Sequence, residues 1–144
     1  MKLLVTLLLL LFLDPGQLFS QSVLTDSLKN TVNPDSIYSE VDVPAEHPKG
    51  KEARIRFIES IIDAGIPLRN GAPVGTYKVS IACIIDTNGK IIAMVPETSQ
   101  GYGMEKEMMK VLKKLPTFKP AMKNGVVVKS KISFPVLFVS RHMN

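Results

Sequence analysis

Apolar residues recur along this chain with two different periods. From about Lys51 to Asp63, Ile55, Ile58 and Ile62 fall at helical spacing and Phe57 and Ile61 widen the stripe, which predicts a first helix stopped by Gly65. From about Gly103 to Leu115, Met104, Met108, Val111, Leu112 and Leu115 make one continuous face, and Pro116 ends that second helix. Between the helices the period drops to two. Tyr77, Val79, Ile81, Cys83 and Ile85 alternate with Lys78, Ser80 and Ala82, the signature of a strand with one buried face. Asp86-Thr87-Asn88-Gly89 is a turn, and residues 90 to 97 return as a second strand. A last, long strand runs from about Val126 to Val139. Val126, Val128, Ile132, Phe134, Val136 and Phe138 lie on one face, and Lys129, Lys131 and Ser133 on the other. Residues 65 to 75 and 117 to 125 read as loops, and residues 37 to 43 as a short extended segment closed by Pro44 and Pro48. The order helix, strand, strand, helix, strand predicts an α+β domain.

The N-terminus follows another pattern. Met1 and Lys2 precede an apolar run from Leu3 to Leu13, broken by Asp14-Pro15-Gly16. That arrangement predicts a signal peptide over residues 1–20, with cleavage after Ser20, and therefore a periplasmic protein. As a helix the run would reach only about 16 Å, against ~30 Å for the hydrocarbon core of a bilayer, so a spanning anchor is not expected. Residues 21–37 are polar and aperiodic, a flexible lead-in. The domain proper is expected over 38–140, with a tail at 141–144.

Charge and chemistry narrow the function by exclusion. The excess of five positive charges is mild and spread along the chain, too diffuse to argue nucleic acid. Cys83 is the one cysteine, so no intramolecular disulfide is available, and its alternating position predicts a buried apolar role. His47 and His142 lie in no metal-ligand spacing, and nucleophile, phosphate-loop and dinucleotide motifs are missing, so neither an enzyme nor a cofactor is expected. Gly101-Tyr102-Gly103 reads as a turn into the second helix, and that helix's acids and lysines as a solvated face.

The stretch from about Tyr38 to Val139 resembles the C-terminal domain of TonB in its standalone form. The resemblance rests on Pro48-Lys49-Gly50 before the first helix, Gly71-Ala72-Pro73-Val74-Gly75-Thr76-Tyr77 before the first strand and Asp86-Thr87-Asn88-Gly89-Lys90 at the hairpin. It continues through Gly101-Tyr102-Gly103-Met104-Glu105, Leu115-Pro116-Thr117-Phe118-Lys119-Pro120-Ala121 and Phe134-Pro135-Val136-Leu137-Phe138, with Phe118 where the family usually has tryptophan. It implies a small three-stranded antiparallel sheet packed on two helices. It also implies a domain that binds an extended segment of an outer-membrane TonB-dependent transporter. Proline inside a strand marks an edge, because it cannot donate to a ladder, so Pro135 points to the last strand as the partner-binding edge. The expected contact residues are Val127, Lys129, Lys131, Ser133, Pro135 and Leu137. A homodimer through the same edge, and a soluble periplasmic adaptor with no transport role, are the alternatives. No stable membrane anchor is expected after cleavage.

Overall fold

The computed structural model describes residues 31–141. The expected leader, the lead-in as far as residue 30 and the tail with His142 lie outside the described residues. The elements are β1 (Ile37–Tyr38), α1 (Gly50–Ile61), α2 (Ile66–Arg69), β2 (Gly75–Ile85), β3 (Ile91–Pro96), α3 (Met104–Leu112), β4 (Ala121–Lys123) and β5 (Val126–Ser140). Among the described residues no helix is long and apolar enough to cross a membrane.

Three long strands carry the sheet. β2 is central, pairing antiparallel with β3 on one side and with β5 on the other, from Gly75↔Ser140 to Ile85↔Ser130. Val79, Ile81, Cys83 and Ile85 of β2 and Phe134 and Phe138 of β5 point to one face. There they meet Met104, Met108, Val111 and Leu112 of α3, each at most 1% exposed. The domain is therefore α+β, with two principal helices and an antiparallel three-stranded core, as the alternation and the helical stripe predict. Two short strands are added: β4 pairs with Val126–Val128, and β1 runs parallel to Lys129–Ser130.

Local chemistry explains each connection. In the β2–β3 turn the Asp86 carboxylate accepts the N–H groups of Asn88 and Lys90, at 2.9 and 2.8 Å, and Gly89 takes φ +81°. This is a three-residue hairpin loop closed by a left-handed glycine. Asn124 and Gly125 both have positive φ, at 49° and 74°, the requirement of a two-residue type I′ hairpin, and they join β4 to β5. The region read as loop 65–75 contains the single turn α2. Pro67 sits in its first turn, where the missing N–H costs nothing.

Two expectations about the helices need correction. The acids of α3 are not all solvated. Glu107 is 5% exposed, accepts the Asp63 N–H and pairs with Lys110 at 3.1 Å. It falls three residues after Met104, on the buried stripe, and an N–H at the end of the α1 segment meets it there. On α1 only Ile58 is buried while Ile55 is 40% exposed, so its stripe is only partly covered.

Cys83 is fully buried in β2. Burial, with a smaller contribution from the Glu97 charge, pushes its thiol from 9.0 up to about 12. The native thiol should therefore resist a water-soluble thiol reagent at pH 8 and react at the rate of unfolding; prompt stoichiometric labelling of native protein would contradict its burial. The sign of the pH effect follows. The folded state keeps this proton where the unfolded state has lost it, so stability should fall as pH rises from about 9 toward about 12.

Candidate partner-binding edge

Which backbone groups remain open is decided by the direction of one residue. The Ser80 N–H donates to the Thr98 hydroxyl at 3.0 Å, and the Ser80 carbonyl accepts the Glu97 N–H at 2.8 Å. Both polar groups of Ser80 thus face the β3 side of β2. Consecutive residues of a strand face opposite sides, so Val79 and Ile81 face β5 and bond their partners Val136 and Phe134. Along β5 the even-numbered residues from Ser130 to Ser140 then turn their N–H and C=O to β2. Lys131, Ser133, Pro135, Leu137 and Val139 turn theirs away. Pro135, opposite Ser80, falls where no N–H is needed.

β5 is consequently not an open edge over its whole length. Lys129 pairs with Ile37 of β1, so the expectation of an open edge from Val126 to Val139 is corrected there. Met122, opposite Val127 in β4, gives its N–H and carbonyl to Val43 and leaves the Val127 backbone turned to the same side as Lys129. The strand that covers Lys129, β1, has two residues, too few for a periodic signal. The parallel register Tyr38↔Ser130 also sets the Lys131 N–H against the Tyr38 carbonyl. Beyond Lys131 no described strand flanks β5 opposite β2. The outward donors there are Ser133, Leu137 and Val139, and the outward acceptors are the carbonyls from Lys131 to Val139 on alternate residues.

Side chains around this edge divide by face. On the outer face Leu137 and Val139 are 65% and 52% exposed. Ser133 and Lys131 both reach Glu97: the Ser133 hydroxyl donates at 3.0 Å and the Lys131 ammonium lies 3.4 Å away. Ser80 donates to the other Glu97 oxygen at 2.8 Å. The Ser80 hydroxyl first, then that of Ser133, holds the Glu97 carboxyl below the usual carboxylate range, and Lys131 adds to the effect. These bonds tie β5, β2 and the end of β3 together across the face. Alternation along each strand conceals this cluster, because its members belong to three segments. On the inner face Ile132 and Val136 are only half-buried.

The sheet's other edge is a poorer template. β3 has six residues, a register shift opposite Ile84 and Ile85, and Pro96 at its end. Bulges and proline blunt an edge against pairing. Within its regular part Met94 is the residue whose donor points away from β2, because Ala93 and Val95 face it.

At the glycine pair of the α3 entry, backbone donors are already taken by a side chain of the helix itself. Gly101, Tyr102 and Gly103 all have positive φ, and the Glu105 carboxylate accepts the Gln100 and Gly101 N–H groups at 2.6 and 3.2 Å. The helix supplies its own anion, and the segment is a turn. No group of three or more metal-ligating side chains occurs among the described residues.

Residues 76–139 match the family model described as the Gram-negative bacterial TonB protein C-terminal. The match spans β2, β3, α3, β4 and nearly all of β5. No curated protein and no solved structure matches the chain. The central strand, the hairpin, α3 and the half-open last strand lie within the matched residues, so this region of the chain is similar to the TonB C-terminal family, a family of protein-interaction domains.

Proposed function

We propose that this protein is a periplasmic binding module of TonB-dependent transport, one that receives an extended segment of an outer-membrane transporter on the open flank of β5. The carrying observation is the asymmetry of that strand. From Ser130 to Ser140 one side is fully laddered to β2, while the other, past Lys131, has no strand beside it among the described residues. A rigid strand with free donors at Ser133, Leu137 and Val139 gives main-chain bonds to an incoming strand with little rearrangement. The half-buried Ile132 and Val136 and the exposed Leu137 and Val139 offer contacts to its alternate side chains. Lys129 holds the base of the strand against β1, Val127 lies before it on the same side, and Lys131, Ser133, Pro135 and Leu137 line the docking stretch.

A photoreactive side chain placed at Leu137 tests this in cells. The expected adduct, identified by mass spectrometry, is an outer-membrane transporter, and the same probe at Ile92 on β3 should give none. An adduct of two copies of this chain at Leu137, or transporter capture at Ile92 alone, would contradict the reading.

A further inference from the structure

Away from the β5 edge, a cleft of about 660 Å³ opens beside the start of α1. Its wall is His47, Lys49 and Arg56 from the α1 segment and Lys114 from just beyond α3, with Ala53, Phe57 and Pro116 as apolar surface. Lys49, Arg56 and Lys114 are exposed and form no ion pair among the described residues, whose four pairs use Arg69, Lys110, Lys129 and Lys131. No carboxylate is in the wall. Glu46, adjacent in sequence, acts instead on Arg54, whose guanidinium lies over the Phe134 ring at 5.1 Å. Glu52 belongs to the first turn of α1 and is likewise outside the lining.

His47 sets the chemistry of the cleft. It is 5% exposed and packs edge-on against Phe118, with ring centroids 6.4 Å apart. Its Nδ1 accepts the Lys49 N–H at 3.1 Å, so the neutral ring carries its proton on Nε2. That Nε2–H has no partner among the described residues, although the ring lines the cleft. Burial first, then the charges of Arg54 and Lys49, lowers the pKa of the ring, which keeps it neutral and a donor at pH 7. A histidine buried to this extent, with one nitrogen fixed by the backbone and its ring lining a cleft together with Lys49, Arg56 and Lys114, none of them ion-paired among the described residues, is matched by a group that accepts hydrogen bonds and carries negative charge.

We propose that this cleft binds an oxyanion, carboxylate or phosphate, on an apolar stem: the anionic group on His47 Nε2–H, Lys49, Arg56 and Lys114, and the stem against Ala53, Phe57 and Pro116. The site is separate from the β5 edge and does not depend on it, since none of its wall residues lies on β5. Phenyl phosphate and benzoate are the probes, with inorganic phosphate as the bare anion. Titrated into the full protein and followed by amide and imidazole NMR, at least one of the two aromatic probes should give saturable shifts at Lys49, Ala53 and the His47 ring. It should bind more tightly than inorganic phosphate and raise the pKa of His47. The double variant Arg56→Gln/Lys114→Gln changes only exposed side chains and should weaken that binding about tenfold. Linear shifts scattered over exposed lysines such as Lys106 and Lys113 would overturn the site, as would an unchanged affinity in the double variant.

Discussion

Gly89→Ala is expected to lose ~3 kcal/mol or more of stability, enough to leave a small domain largely unfolded. Two effects add. Gly89 has φ +81°, a conformation that costs an L-residue ~1–2 kcal/mol. A Cβ there would also stand 1.8 Å from the Phe118 carbonyl oxygen and 2.8 Å from its carbon. The obstacle is backbone, held in place because the Phe118 N–H donates to the Gly89 carbonyl at 2.8 Å and the Phe118 ring is 3% exposed in the core. Neither side can yield without opening the hairpin or the segment leading to β4. Gly101→Ala is the control. It has nearly the same φ, +80°, with nothing within 4 Å, so only the conformational cost of ~1–2 kcal/mol should appear. Chemical denaturation of the two variants separates the effects. Equal losses would mean that the approach to Phe118 contributes nothing.

Proline substitutions at two adjacent positions of β5 should have opposite consequences. Val136 faces Val79 and donates into the β2 ladder, so Val136→Pro removes an internal bond and forces a ring between paired strands, at a cost of roughly 3 kcal/mol. Leu137 faces outward and is 65% exposed, so Leu137→Pro should change stability by less than ~1 kcal/mol. It removes one of the three outward donors from the docking stretch, and its ring stands where an added strand would lie. Partner affinity should therefore fall about tenfold or more. Lys131 is the wrong place for this test, because its N–H faces the Tyr38 carbonyl and its ammonium serves Glu97. Denaturation midpoints together with titration of a transporter peptide give the contrast. A Leu137→Pro variant that unfolds as Val136→Pro does would show that the outward N–H groups are not free.

The long periodic elements were legible in the sequence because each buries one face. Met104, Met108, Val111 and Leu112 specify α3, and alternation from Tyr77 to Ile85 specifies β2. What escaped are pieces too short for a period to show. β1 has two residues, yet it decides that Lys129 is covered. Pro135 correctly reports a position that needs no donor on β5. It carries no information about where along the strand a neighbour ends, since that depends on residues 37 and 38, far away in the chain. Glu107 shows the reverse case. Its spacing from Met104 places it on the buried stripe, and only its charge argued for solvent. The His47 cleft was hidden because Lys114 meets Lys49 and Arg56 only through packing of the folded chain.

Amide hydrogen exchange, residue by residue along β5, tests the central claim most directly. In the free protein Ile132, Phe134, Val136 and Phe138 should be protected, while Ser133, Leu137 and Val139 exchange orders of magnitude faster. Adding a captured transporter segment should slow those three selectively. Uniform protection of β5 in the free protein, or protection gained on α1, α3 or β3 while residues 133–139 stay unchanged, would contradict the open-edge account.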